Sequence, residues 1–426
     1  MCLSPRISSA SGGSADRSES MFILMNKRCF LGAVLLSLWL LVLGLSPDLA
    51  RLAAQDRGLA WNATASTDLV YSFSDGAAFA RSGSLQQFAE TLQGGFYSGL
   101  TTVSLGFQGG DRDSAQLVGL VKFAIPYGSA AALLAQAGSP LAYELELAKL
   151  YVTVSFPQAD LSLGRMIVNY GKGRLFSPSD LFSAVNLQDQ ALGRVGTDVI
   201  RLQLPLSDLA GLDLVSTLAL PPDQAVFGGR TFATLSGWDL SAMLFQNGGG
   251  LAGLQNGTSG SAGPAEEPAE PALLGGFDWK GDLILGFYGE ALFAIPYAGY
   301  RLVPDRTGYS LALGADYSFG GTWFCTLEYQ GNFGQGPRFG QFRADTNLFA
   351  SLSWKLDEWT SVNSHLIYIL DTTAWQGILS LQRTLMGRTS LSIYSAASRG
   401  IVRTAAPLAE NTPIGLSFGL TLRAAF

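Results

Sequence analysis

The sequence predicts an all-β protein, a transmembrane antiparallel up-and-down β-barrel of about eighteen strands, and three observations carry that prediction. Only 14% of the 426 residues are charged while 48% are apolar, against a charged fraction of about 25% in soluble domains. A soluble protein of this length needs a charged surface, so the deficit points to the bilayer as a second solvent and excludes a disordered or acidic-tail protein. Glycine supplies 51 residues with no Gly-X-Y period, which excludes collagen and invites a glycine-rich β architecture. Beyond residue 54 the apolar residues recur at every second position in segments of about ten residues, the length at which a tilted strand crosses a membrane.

The chain opens with residues 1–20, small and polar, which read as an over-extended start. Residues 21–54 read as a signal peptide: Asn26, Lys27 and Arg28 precede the apolar run from Cys29 to Leu45, then Ser46-Pro47 and alanines at 50, 53 and 54. Cleavage there removes Cys2 and Cys29 and leaves Cys325, so the mature chain forms no internal disulfide. Removing residues 1–54 also leaves 22 basic and 30 acidic groups, net −8. That balance argues against nucleic acid as a partner, whose binders carry a basic footprint.

Residues 55–426 hold no stretch of 18 uncharged apolar residues, which excludes a helical bundle. The last segment shows the alternation most cleanly: Leu416, Phe418, Leu420, Leu422, Ala424 and Phe426 share one face, and Gly415, Ser417, Gly419, Thr421, Arg423 and Ala425 the other. The same split recurs over 197–206, 309–319, 323–332 and 347–356. A soluble sandwich would also alternate, but its outer face would carry more Lys and Glu. Here the polar face is Gly, Ser and Thr, and aromatics gather near segment ends (Tyr71, Phe73, Tyr127, Tyr170, Phe319, Trp354, Trp359), as in an interfacial girdle.

Strands are expected near 61–74, 95–107, 115–126, 142–156, 160–170, 197–206, 211–220, 226–235, 239–247, 272–279, 282–294, 308–319, 321–333, 346–355, 359–370, 374–384, 388–397 and 413–426. Splitting 226–247 at Ser236-Gly237 makes the count even, as bacterial barrels require; sixteen is the alternative, with 61–74 outside the wall and 226–247 unsplit. Short turns (157–160, Lys280-Gly281, Gly320-Gly321, 356–358) then lie on one side and long loops on the other, among them the low-complexity Gly/Ala/Pro/Glu loop 248–271.

The signal peptide, the alternating strands and the terminal strand closed by Phe426 resemble the outer-membrane β-barrel proteins of double-membraned bacteria, porins in particular. The resemblance implies localisation in the cell outer membrane, with its lipid bilayer as surroundings, and a homotrimer. It also implies recognition by the barrel-assembly machinery through the terminal strand, on Phe418, Leu420, Leu422 and Phe426. Ala424 departs from the class, which usually places a larger residue third from the end. The stretch Gly164-Arg165, Tyr170-Gly171-Lys172-Gly173 and Pro178-Ser179-Asp180 is similar to a signature found in several porin-like families.

Residues 171–196 form the longest connection that is not low-complexity, with apolar Leu175, Phe176, Leu181 and Phe182 among its charges. A loop carrying its own apolar residues packs on something, and the lumen is the natural place. Lys172, Arg174, Asp180, Asp189 and Arg194, with Arg165 and Arg201 on the flanking strands, are then expected to form a pore constriction with a transverse field. Glu144 and Glu146 fall out of step with Lys149, which a bulge near Ala148 would reconcile. His365 is the only histidine, too little for a zinc site or a triad; no metal, cofactor or enzymatic activity is expected. The expected function is a channel for small polar solutes or ions. The alternative is a non-conducting barrel serving as adhesin or envelope structural protein.

Overall fold

The computed structural model describes residues 59–73, 95–111, 113–128, 143–185, 194–219, 222–251, 270–339, 342–400 and 412–426. The leader segments 1–20 and 21–54 and loop 252–269 lie outside the described residues. Eighteen strands form one closed antiparallel wall. They are β1 (Leu59–Phe73), β2 (Phe96–Asp111), β3 (Ala115–Gly128), β4 (Glu144–Phe156), β5 (Ala159–Met166), β6 (Thr197–Ser207), β7 (Ala210–Thr217), β8 (Val226–Leu235) and β9 (Trp238–Asn247). The wall continues with β10 (Ala272–Asp282), β11 (Gly286–Ala298), β12 (Gly308–Phe319), β13 (Trp323–Gly334), β14 (Thr346–Lys355), β15 (Thr360–Ile369), β16 (Ala374–Met386), β17 (Thr389–Arg399) and β18 (Gly415–Ala425).

Each strand pairs with its sequence neighbour, and β18 pairs with β1 to remove both sheet edges. Ten residues rising ~3.3 Å each at a tilt of ~45° span about 23 Å, which matches the apolar band of a bilayer-crossing barrel. The expected alternation places Leu348, Leu352 and Trp354 outside while Asn347, Phe349 and Ser351 are buried inside. At the turn-side rim Trp323 stacks on Trp354, rings 4.5 Å apart and 6° from parallel.

The split at Ser236-Gly237 is real: both residues have positive φ and join β8 to β9 as a two-residue hairpin. The β-bulge falls where the parity argument puts it. Leu120 faces Lys149 and Val121 faces Leu147, so Ala148 is the extra residue and Glu146 and Lys149 point to one side. Lys122 meets Glu146 there at 3.6 Å.

Three local expectations are corrected. Lys280-Gly281 is not a turn; both residues belong to β10, which runs on to pair Asp282 with Gly286 around Leu283–Leu285. The strand expected over 160–170 ends at Met166, because the chain turns inward there. Tyr170, at 2% exposure, is consequently a core residue and not a girdle aromatic, and Phe73 is also buried.

The seam carries a polar cross-link on the inner face. Asp68 of β1 accepts from Thr421 Oγ1 of β18 at 2.8 Å and from the Tyr394 hydroxyl of β17 at 3.1 Å. Outside, Phe418 and Leu420 of the terminal strand lie beside Tyr71 and Leu69, and Phe426 N donates to Ala63 O at 2.8 Å. Asp68→Ala removes the shared acceptor of two hydroxyls and is expected to cost about 1–3 kcal/mol. A lowered temperature for conversion of the folded to the unfolded gel band checks this; an unchanged temperature contradicts it.

Candidate functional site: an interior segment held by two wall carboxylates

The connection between β5 and β6 runs inside the barrel. Its apolar side chains split into two groups. Val168, Tyr170, Leu181 and Phe182 join inward-facing Val199, Val215, Met243, Phe245 and Leu274 of β6 to β10. Leu175, Phe176 and Val185 join Ala312, Phe349, Ile367 and Ile369 of β12 to β15. Phe182 meets Phe245 with ring centres 5.3 Å apart, and Phe176 meets Phe349 at 6.3 Å. Burying an aromatic of this kind contributes ~1.5–3 kcal/mol, so these contacts fix the segment against half of the wall. The β13–β14 connection also turns inward: Asn332 Nδ2 donates to Phe342 O at 3.1 Å, and Phe342 sits edge-on to Phe176 at 4.8 Å.

A backbone brought inside the barrel needs acceptors for its amides. Two fully buried glutamates supply them. Glu290 of β11 accepts from Lys172 N at 2.5 Å, Gly173 N at 2.8 Å, Ser179 N at 3.2 Å, Ser177 Oγ at 2.9 Å and the Ser179 hydroxyl. Glu328 of β13 accepts from Arg174 N at 2.5 Å, from Leu175 N and Phe176 N at 2.9 Å each, and from the Tyr288 hydroxyl at 2.6 Å. Five consecutive amides, 172 to 176, thus converge on two carboxylates. The arrangement is an anion-binding nest filled by the wall itself. Glycine is required within it: a Cβ on Gly173 would stand 2.0 Å from Phe176 O, and one on Gly171 would strike the Ser177 side chain.

The charges expected to make a constriction divide by environment. Asp180 and Arg194 form an ion pair inside the segment, with Ser183 Oγ donating to Asp180 at 2.7 Å. Burial pushes the Arg194 guanidinium below its usual range, opposed by the nearby Glu290 and Glu328 charges. Burial also pushes the Tyr170 phenol up. Lys172 Nζ lies 4.0 Å from buried Asp278 of β10, which also takes Arg230 of β8 at 3.3 Å. Arg201 faces the lumen as expected but is bound to Asp213, with Nε to Oδ1 at 2.9 Å.

Arg165 is the correction among the flanking residues. It continues the parity of Leu161 and Leu163, which are exposed on the outer wall, and forms a bidentate pair at 2.8 and 2.7 Å with Asp198, which shares the parity of Ile200. Its position therefore removes it from the lumen. Asp189 lies outside the described residues. Arg174 alone among the segment's described charges is exposed, so it is the charge presented to water within the barrel.

Glu290, Glu328, Asp213, Asp278 and Arg230 were not singled out from sequence. A usable signal existed for the two glutamates: each lies on lumen parity and faces no cation in register, since Glu290 stands between Asp278 and Ala312 and Glu328 between Gly314 and Phe349. His365 is buried on the inner wall and stacks on Phe349 at 6.1 Å. Among the described residues no group of three or more His, Cys, Asp or Glu side chains is placed to hold a metal ion.

Comparison with solved structures identifies the architecture. The chain is similar to the crystal structure of Pseudomonas aeruginosa OccK11 (OpdR), with a TM-score of 0.53 and 10% identity over 87% of this chain and 98% of that one. It is similar to Acinetobacter baumannii OccAB4 at TM-score 0.53 and 9% identity, covering 87% and 99% of the two chains. Pseudomonas aeruginosa OpdK, solved with vanillate, gives TM-score 0.53 and 11% identity over 86% and 98%. At these identities the likeness is one of fold. No protein-family profile matches the sequence, and no curated protein matches it significantly.

Gly173→Ala puts a methyl group against Phe176 O and should unseat the amide run without touching the wall. The expected result is a folded barrel destabilised by about 1–3 kcal/mol, with residues 172–176 newly open to protease. Wild-type stability and protection in the variant would contradict the close-approach argument.

Proposed function

We propose that this chain is an outer-membrane porin, exported with residues 21–54 as its leader, through which small polar solutes or ions diffuse passively. The single observation that carries the reading is the interior segment: it is fixed across half of a polar-lined barrel and, among its described residues, exposes one charge, Arg174. Selectivity then follows from pore width and from the sign of that charge, with no catalytic step. The shared fold of the solved barrels supports the architecture this requires. OpdK was solved with vanillate, a small organic anion, and an exposed guanidinium suits a solute of that sign.

The same geometry assigns different weights to the basic residues. Arg194 and Arg201 each sit beside a buried carboxylate of their own, so their fields are largely cancelled at the lumen, while Lys172 shares Asp278 with Arg230. Arg174 has no carboxylate side chain within ion-pair distance among the described residues. In planar bilayers the refolded protein is expected to give stable single-channel steps. Arg174→Glu should move the cation-to-anion permeability ratio severalfold toward cations. Absence of single-channel steps in the wild type would overturn the porin reading in favour of a closed structural barrel. Steps with selectivity indifferent to Arg174→Glu would place the constriction elsewhere.

A further inference from the structure

The outer parity of the wall is almost free of charge, and among the described residues Arg165 and Asp198 are the two charges on it that stand in register with each other. They sit where the wall is lowest. β5 and β7 have eight residues each, which at a tilt of ~45° rise about 19 Å, short of the ~25 Å apolar band of such a barrel. Arg165 precedes Met166, the last residue of β5, and Asp198 follows Thr197, the first of β6. That end, on the side of the long loops, faces the outer leaflet.

Arg165 is only partly satisfied there. Its Nε and Nη2 donate to the two Asp198 oxygens, and Nη1 donates at 3.1 Å to Leu147 O, which stands above the stretch of β4 that β5 covers. A guanidinium has five N–H donors, so two of them find no acceptor among the described residues. Each Asp198 oxygen takes one of these bonds and can accept again, and its side chain is 46% exposed. Hydrocarbon offers a partner to neither group.

Beside the pair the outer wall is dented. Gly229 stands in register between Leu214 and Leu244, and with Ile200, Leu202 and Phe227 these residues line an open depression of about 740 Å³. Ile200 follows Asp198 on the same face, about 7 Å along the strand. An apolar trough thus ends at a polar pair with donors and acceptors to spare.

We propose that this face binds one phosphorylated glycolipid of the outer leaflet, with an acyl chain along the Gly229 trough and the sugar head on Arg165 and Asp198. The lipid phosphate accepts the two free guanidinium N–H groups, and sugar hydroxyls donate to the carboxylate. Because Asp198 cancels the charge of Arg165, a bare phosphate gains little. A head that carries acceptors and donors together satisfies both side chains, and this binding is independent of whether the channel conducts.

Refolded full-length protein, loaded in detergent with diphosphoryl hexa-acyl lipid A and then passed through gel filtration, is expected to retain one lipid per barrel by native mass spectrometry. Arg165→Gln should lower retention at least fivefold, and dephosphorylated lipid A should be retained at least fivefold less than the diphosphoryl form. Gly229→Leu fills the trough and leaves the ion pair, so it should lower retention at least threefold and tests the site should Arg165→Gln fail to fold. Wild type that retains no lipid A, or either folded variant retaining it at the wild-type level, overturns the proposal. Equal retention of phosphatidylethanolamine or phosphatidylglycerol overturns the glycolipid assignment. A lipid-free wild-type oligomer that Gly229→Leu dissociates gives the face to a second copy of the chain and overturns it as well.

Discussion

The interior of this barrel depends on one exchange between groups that could not otherwise be inside. A carboxylate cannot be buried without donors, and a run of bare backbone amides cannot be buried without acceptors. Glu290 and Glu328 meet Lys172 through Phe176 on those terms, each satisfying the other. Replacing either side alone leaves uncompensated polarity in a place water does not reach. The requirement also fixes the sequence of the segment, since only glycine at 171 and 173 lets the backbone approach so closely.

From that exchange follows the division of charge within the lumen. Cations near the segment's base find buried acids: Arg201 with Asp213, Arg230 and Lys172 with Asp278, Arg194 with Asp180. The one-to-one pairs Arg201–Asp213 and Arg194–Asp180 present little net field, while Arg230 and Lys172 share the single carboxylate of Asp278. Arg174 differs because its backbone is spent on Glu328 while its side chain remains in water. Position within the nest, not the identity of the residue as arginine, leaves its side chain exposed. The apolar residues divide in the same way, with leucines and aromatics of one parity outside and an equally apolar cluster of the other parity beneath the segment.

Much of the wall was legible in the sequence because period-2 alternation is local. Each of the eighteen strands can be recognised from its own residues, and even the bulge at Ala148 announces itself as a break in parity between Glu146 and Lys149. Boundaries failed where alternation continued past a change of direction, as at Met166, or where a lysine–glycine pair, Lys280-Gly281, resembled a turn inside a strand. The segment itself was recognised by its mixture of apolar and charged residues. Its anchors were not, because Glu290 and Glu328 are more than 110 residues away in sequence, and no local pattern joins them to a glycine-flanked amide run. Arg165 was misplaced for a related reason: its strand parity was legible, but the expectation followed its proximity to the segment.

Backbone hydrogen exchange at residues 172–176 in the folded, detergent-solubilised barrel tests the central claim most directly. If the two glutamates hold these five amides, the amides exchange as slowly as those of β11 and β13, and slow exchange is lost specifically there in a Glu290→Ala, Glu328→Ala protein whose wall strands remain protected. Exchange at the rate of an open loop in the wild-type protein would contradict the account.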